Sequence, residues 1–254
     1  MVPRYVFENG GPRLERRGSG LFLFVDFDGT LVPIGDDPAA CHISPHVKEQ
    51  LRRIASSPRA RVAVLSGRTM VDVRERIGLR HIFYGGNHGL EISGPRIRFT
   101  HPGARSSGHL LNAIIGRIEE GIRNIPGALL ERKRFGFALH YRMADREGAR
   151  RIREVFRGAT AGHRGEGAFA VLRGKKVLEL APAVSWDKGR AALFLLGRVE
   201  GDYEPVYIGD DLTDETAFQA LGDKGVSVRI GRSQKTAAGY YLRGQRETSP
   251  FLEH

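Results

Sequence analysis

A chain of 254 residues, 41% hydrophobic and 27% charged, is long enough for one large domain or for a core with a second module, and this composition excludes global disorder. The net charge of +11, carried mainly by 33 arginines, points to an anionic partner or to solvated helix faces. The single cysteine excludes an internal disulfide and a multi-cysteine zinc site, and no apolar run approaches the roughly 18 residues of a membrane span.

Residues 1–20 are polar and aperiodic, as expected of a mobile lead-in. Residues 21–25 form a short continuous apolar run, the pattern of a strand buried on both faces. That run is too short for a signal peptide, so a cytoplasmic location is expected. Ser44-Pro45 then supplies an N-cap and an N1 proline, with Val47, Leu51 and Ile54 following at helical spacing. Residues 62–65 read as a second buried strand. Met70, Val73 and Ile77 form a helical stripe closed by Gly78, and residues 82–84 read as a third strand. Strand and helix in alternation predict right-handed crossovers and a parallel sheet.

The pattern changes near residue 100. Leu110, Leu111, Ile114, Ile115, Ile118 and Ile122 mark an amphipathic helix, and Phe135, Phe137 and Leu139 a half-buried strand. Residues 146–157 read as a charged helix. Residues 169–172 and 177–180 read as a hairpin across Arg173-Gly174-Lys175-Lys176. After Trp186 the first pattern returns, with a helix over 187–196, a strand over 206–208, a helix to Leu221 and a strand over 226–230. The expected fold is therefore α/β. A Rossmann-like parallel-sheet core over 21–99 and 186–251 is interrupted by an α+β cap over 100–185. That inserted segment holds sixteen Lys and Arg against eight Asp and Glu, so the basic charge concentrates there. The closing Leu252-Glu253-His254 resembles the start of a cloning scar.

Functional groups in parallel sheets gather at the carboxyl ends of the strands. The first strand ends in Asp26-Phe27-Asp28-Gly29-Thr30. One carboxylate of such a pair can attack phosphorus, and the other can protonate the leaving oxygen and later deprotonate water. A cation is then needed to offset the repulsion between carboxylates and phosphate. The plain structural meaning would be an Asx-rich turn. The second strand ends in Ser66-Gly67-Arg68, a hydroxyl and free amides suited to a phosphoryl oxygen or simply to a helix cap. Lys188 opens the helix after Trp186, where an ammonium can neutralise the nucleophile and the phosphoryl group, or merely lie on the surface. Gly209-Asp210-Asp211-Leu212-Thr213-Asp214-Glu215 places four acids at a strand end. Asp210 with Asp26 and the carbonyl of Asp28 would give Mg²⁺ three oxygen ligands, while Asp211 or Asp214 could hold its water or orient Lys188. An acidic helix N-terminus is the structural alternative.

This order of acid pair, serine, lysine and acid cluster resembles the signature motifs of the haloacid dehalogenase superfamily of phosphatases. The resemblance implies Asp26 as nucleophile, Asp28 as acid and base, Ser66 and Lys188 as phosphoryl ligands and Asp210 as the main metal carboxylate. The strings Gly86-Asn87-His88-Gly89, Glu131-Arg132-Lys133, Phe135 with His140-Tyr141-Arg142, Val177-Leu178-Glu179 and Trp186-Asp187-Lys188-Gly189 are similar to the trehalose-6-phosphate phosphatase family. That similarity implies hydrolysis of trehalose 6-phosphate, with Glu131, Lys133 and Glu179 on the sugar hydroxyls. The similarity further implies Gly67, Arg68, Asn87, His88 and Arg142 as substrate contacts. The family usually carries Ser after the Phe, where this chain has Gly136. Another sugar phosphate of the sucrose phosphate or mannosyl phosphoglycerate type, a non-catalytic phosphosugar binder and a nucleic-acid binder stay open as alternatives. A small-molecule substrate, no nucleic acid and no membrane are the expected partners. No feature fixes the oligomeric state, a monomer being the working expectation.

Overall fold

The computed structural model describes residues 2–8, 20–35, 41–105, 108–161 and 169–253. In chain order the elements are β1 (Arg4–Tyr5), β2 (Gly20–Val25), α1 (Pro45–Ser56), β3 (Ala60–Leu65), α2 (Met70–Ile77), β4 (Phe83–Gly86), β5 (Glu91–Gly94) and β6 (Ile97–Thr100). Next come α3 (Gly108–Ile122), β7 (Leu129–Arg132), β8 (Phe137–His140), α4 (Arg146–Thr160), β9 (Phe169–Gly174) and β10 (Val177–Pro182). The chain closes with α5 (Lys188–Arg198), β11 (Tyr203–Gly209), α6 (Leu212–Leu221), β12 (Val226–Ile230), β13 (Tyr240–Leu242) and α7 (Thr248–Glu253). Two compact units result, Met1–Phe99 with Trp186–His254, and Thr100–Ser185.

The first unit is built on a sheet of order β1-β13-β12-β11-β2-β3-β4-β5-β6. Strands β11, β2, β3 and β4 run parallel, and β5 returns antiparallel to β4. The run Gly20–Val25 is apolar throughout because both its faces are covered. Leu23 and Val25 pack with Val47 and Leu51 of α1 and Val73 and Ile77 of α2. Phe22 and Phe24 pack on the opposite face with Ala191 and Leu195 of α5 and Phe218 of α6. Each fully buried phenylalanine contributes about 1.5–3 kcal/mol by leaving water. Chain order moves outward from β2 through β3 and β4 on one side, and from β11 through β12 and β13 on the other. The neighbours β2 and β11 therefore form the topological switch point, whose carboxyl end is the expected place for a ligand.

Helix termini follow local chemistry. Ser44 Oγ accepts from Val47 N at 3.2 Å and Pro45 opens α1. Thr69 Oγ1 caps α2 by accepting from Asp72 N at 3.2 Å, and Asp187 Oδ1 caps α5 by accepting from Arg190 N at 2.9 Å.

The second unit is a four-stranded antiparallel sheet of order β7-β8-β10-β9. Phe137, Leu139, Leu178 and Leu180 pack against Ile114, Ile118, Ile152 and Phe156 of α3 and α4. Among the described residues, no helix is long and apolar enough to cross a membrane.

Several sequence expectations need correction. Within the segment expected to be a mobile lead-in, Arg4 and Tyr5 pair in parallel with β13 and Val6 is fully buried; the lead-in residues 9–19 lie outside the described residues. Phe135 is buried but precedes β8 rather than belonging to it. The hairpin turn is tighter than a four-residue loop, because β9 runs through Gly174 and Lys176 takes a φ of 65°. Leu252 packs against the core and Glu253 Oε1 accepts from Gln50 Nε2 at 2.9 Å, while His254 lies outside the described residues.

Candidate active site

Asp26 leaves the end of β2 and Asp210 the end of β11, and the ladder continues as Asp26 N donates to Ile208 O at 2.9 Å. Lys188, at the first turn of α5, is 2% exposed and reaches both Asp26 Oδ1 at 2.6 Å and Asp214 Oδ1 at 2.8 Å. Asp214 also accepts from Tyr207 Oη at 2.9 Å, and its Oδ2 accepts from the amides of Asp210 and Asp211, both at 3.0 Å. With four protein donors on it, Asp214 is a fixed support for Lys188. Asp211 contributes this amide and stands partly exposed at the start of α6.

These charges shape one another. Burial opposes the ammonium of Lys188, but Asp214 and Asp26 outweigh it, so Lys188 is held protonated well above the ordinary range. Burial pushes the Asp26 carboxyl up, and Asp214 and Asp210 add to that shift against the attraction of Lys188. Burial, then Asp214, raises the Tyr207 hydroxyl, keeping it a neutral donor.

One oxygen each of Asp26, Asp210 and Asp214 lies within 4.8 Å of the others. Three buried carboxylates against one ammonium leave a formal surplus of two negative charges, which a divalent cation offsets. The donors are all oxygen, which suits a hard ion such as Mg²⁺. Since Asp214 is already committed, Asp26 and Asp210 are the carboxylates suited to direct ligation. Gly29, at φ 87°, brings the backbone against Asp210: a Cβ there would strike its carboxylate. The residues therefore fit the ion.

Asp28 is held by Arg68, whose Nε and Nη2 donate to its two carboxylate oxygens, each at 2.7 Å. Ser66 is buried, and its Oγ accepts from Arg68 N at 3.1 Å, leaving the hydroxyl proton for another acceptor. Asn87 and His88 follow β4 in the left-handed region, at φ 50° and 58°. Their amides donate to Arg68 O at 2.7 Å and Ser66 O at 2.9 Å, tying this loop to the Ser66-Gly67-Arg68 segment. Trp186 Nε1 donates to Gly89 O at 2.8 Å, which gives the Trp186-Asp187-Lys188 string a structural use.

In the second unit, register places Glu131 and Glu179 on either side of Ala138, on the sheet face away from α3 and α4. Lys133 Nζ donates to Glu179 Oε1 at 2.8 Å, and His140 Nε2 lies 2.9 Å from Glu131 Oε2. Burial works against the Glu131 charge, but His140 and Lys133 hold its carboxyl below the ordinary range. Arg142 instead donates to the Lys175 carbonyl at 3.2 Å, at the hairpin turn. A Cβ at Gly136 would run into the Leu180 carbonyl, so this backbone has no room for the usual serine.

The first unit thus brings Asp26, Asp210, Lys188 and Asp214 together, and ties Asp28 to Arg68. Sequence reasoning missed Tyr207 and Asp72 as partners. A tyrosine inside a fully buried strand signals a hydroxyl that must find an acceptor, and Asp72 lies four residues beyond Arg68.

A doubly wound core with paired acids at its central strand end and an inserted α+β unit is of the haloacid dehalogenase type. A haloacid dehalogenase-like hydrolase from Bacteroides thetaiotaomicron shares the fold with a TM-score of 0.65 at 17% identity, over 92% of this chain and 98% of that one. The C-terminal domain of Candida albicans trehalose-6-phosphate phosphatase shares it with a TM-score of 0.80 at 24% identity, over 92% and 91%. The sequence profile of the Trehalose-phosphatase family matches residues 24–246, and this chain belongs to that family. A trehalose-phosphate phosphatase of Mycobacterium tuberculosis is 35% identical over 240 residues, 91% of this chain and 60% of the relative. The chain thus spans about 60% of the length of that relative.

Proposed function

We propose that this chain hydrolyses trehalose 6-phosphate to trehalose and phosphate through an aspartyl-phosphate on Asp26. The observation that carries the proposal is the buried contact of Lys188 with Asp26 and Asp214, beside Asp210 at the switch point. Asp26 is the nucleophile: one of its oxygens bonds to phosphorus as the ester P–O bond breaks. Asp28 gives its proton to the leaving sugar oxygen. Water then attacks the aspartyl-phosphate, its proton passing to Asp28, and the Asp26–O–P bond breaks to release phosphate. Lys188, the Ser66 hydroxyl and the Gly67 amide hold phosphoryl oxygens, where preformed donors stabilise the charge of the transition state. Asp26, Asp210 and the Asp28 carbonyl would hold Mg²⁺, which when bound would supply charge neutralisation at the carboxylates and the phosphoryl group.

Thr100–Ser185 is the specificity module in this reading, and its basic charge suits a doubly anionic ester. Glu131, Lys133 and Glu179 bind sugar hydroxyls, for which carboxylates accept and an ammonium donates. Asn87, His88 and Arg142 are the further substrate contacts, while Arg68 acts on the site through Asp28. Lys133→Met should raise KM for trehalose 6-phosphate about 10–100-fold while phosphate release from a small aryl phosphate stays near wild type. Equal effects on both esters would remove Lys133 from sugar recognition.

The deciding experiment is a phosphate-release screen over trehalose, sucrose, glucose and mannose phosphates, with Mg²⁺ and with EDTA. Trehalose 6-phosphate should be turned over fastest. EDTA should cut its turnover by at least about 100-fold, with recovery on adding Mg²⁺. Faster turnover of another sugar phosphate would sink the substrate, and full activity in EDTA would sink the metal. Tight binding of the ester without phosphate release would turn the proposal toward a sensor.

A further inference from the structure

We propose that Asp72 is a positioning residue for phosphoryl transfer, setting the orientation of the Asp28 carboxylate through Arg68. This rests on the assignment of Asp28 as proton donor to the leaving oxygen. Asp28 is 38% exposed in its side chain, so packing does little to fix it, and Arg68 holds both its oxygens. Arg68 is itself only 10% exposed and its third nitrogen, Nη1, donates to Asp72 Oδ2 at 2.9 Å. All three guanidinium nitrogens are therefore committed, in the forked geometry that gives arginine–carboxylate pairs their directionality.

Asp72 is anchored from two more sides. Its amide donates to the Thr69 cap, and its Oδ1 accepts from Arg76 Nε at 2.8 Å. Arg76 Nη1 donates in turn to the Cys41 carbonyl at 2.6 Å. The spacing 68, 72, 76 lines these groups along one face of α2 and its lead-in. A string of alternating charges thus ties Asp28, in the loop after β2, to a rigid helix and to a second point in the segment that leads into α1. Exposed ion pairs contribute little, but here the guanidinium is buried and its contact with Asp28 is bidentate, so the geometry is held. Loss of Asp72 removes the third anchor of Arg68 and lets the pair with Asp28 rotate together.

Proton donation to the leaving oxygen matters for an alkyl ester, whose alkoxide is a poor leaving group. It matters little for 4-nitrophenyl phosphate, whose phenolate leaves unprotonated. The test is Asp72→Asn in the full chain with Mg²⁺, comparing kcat/KM, which reports steps up to phosphoryl transfer. For trehalose 6-phosphate it should fall about tenfold or more, and for 4-nitrophenyl phosphate change less than about twofold, with Asp72→Glu recovering most of the loss. Arg76→Gln should show the same alkyl-over-aryl selectivity at smaller size, and it carries the test if Asp72→Asn does not fold. Equal losses on both esters, or none on either, in whichever variant folds would overturn the inference. A wild-type protein that releases phosphate from neither ester would overturn the role of Asp28 and this inference with it.

Discussion

Replacing Asp26 by asparagine should lower phosphate release from trehalose 6-phosphate by at least about 10³-fold, because the amide oxygen cannot displace the ester oxygen from phosphorus. The fold should survive. Asparagine keeps an oxygen for Lys188, which reaches Asp26 Oδ1 at 2.6 Å. Stability should even rise in metal-free protein. Burial raises the Asp26 carboxyl above its ordinary 3.8, so the folded state binds this proton more tightly than the unfolded one does. The contribution of the protonated carboxyl is present at low pH and is lost as pH climbs through the raised value. Asp26→Asn carries no such loss, so the gap in Tm between variant and wild type should widen in its favour as pH rises above the ordinary aspartate range. Calorimetry across pH in EDTA measures the gap, and malachite green or coupled phosphate detection measures turnover. Activity above about 1% of wild type would remove Asp26 as nucleophile.

The sequence was most legible where local pattern and long-range structure agree. An apolar run over 21–25 reads as a two-sided strand because Phe22 and Phe24 fill one layer and Leu23 and Val25 the other. The α/β class follows from that run and its successors. The meeting of Lys188 with Asp26 bridges 162 positions, yet it was approachable because both lie where parallel strands and their helices place functional groups. Pairing without a local pattern stayed hidden. Arg4 and Tyr5 make a two-residue strand beside Tyr240 and Tyr241, and no periodicity exists at that length. Strand β7 was unread because Glu131 and Arg132 interrupt its apolar alternation. Among site residues, Arg68 read as a phosphate contact from its neighbours Ser66 and Gly67. The engagement of its guanidinium with Asp28 and Asp72 was not legible, because it is set by side-chain reach across a loop.

Asp214→Ala should cost about 3–5 kcal/mol of folding stability, the largest effect among the first unit's substitutions considered above. Asp214 is fully buried and accepts from Lys188 Nζ, Tyr207 Oη and two backbone amides. Alanine strands all of these donors in a region that excludes water, and each unmet donor carries a desolvation cost. A graded series separates the contributions. Tyr207→Phe removes one neutral donor and leaves the rest satisfied, so about 1 kcal/mol is expected. Asp214→Asn keeps the volume and one acceptor oxygen but places an amide N–H₂ against other donors, so its loss should fall between the two. Turnover should follow a different order. Lys188 keeps its contact with Asp26 in Tyr207→Phe, which should retain most activity. In Asp214→Ala the ammonium loses the carboxylate that fixes it opposite Asp26, so turnover should fall even below the melting transition. Denaturant unfolding of all three proteins, paired with phosphate release at a temperature where each is folded, checks both orders. Full activity in folded Asp214→Ala would show that Lys188 is placed by Asp26 alone, and the role of Asp214 would shrink to stability.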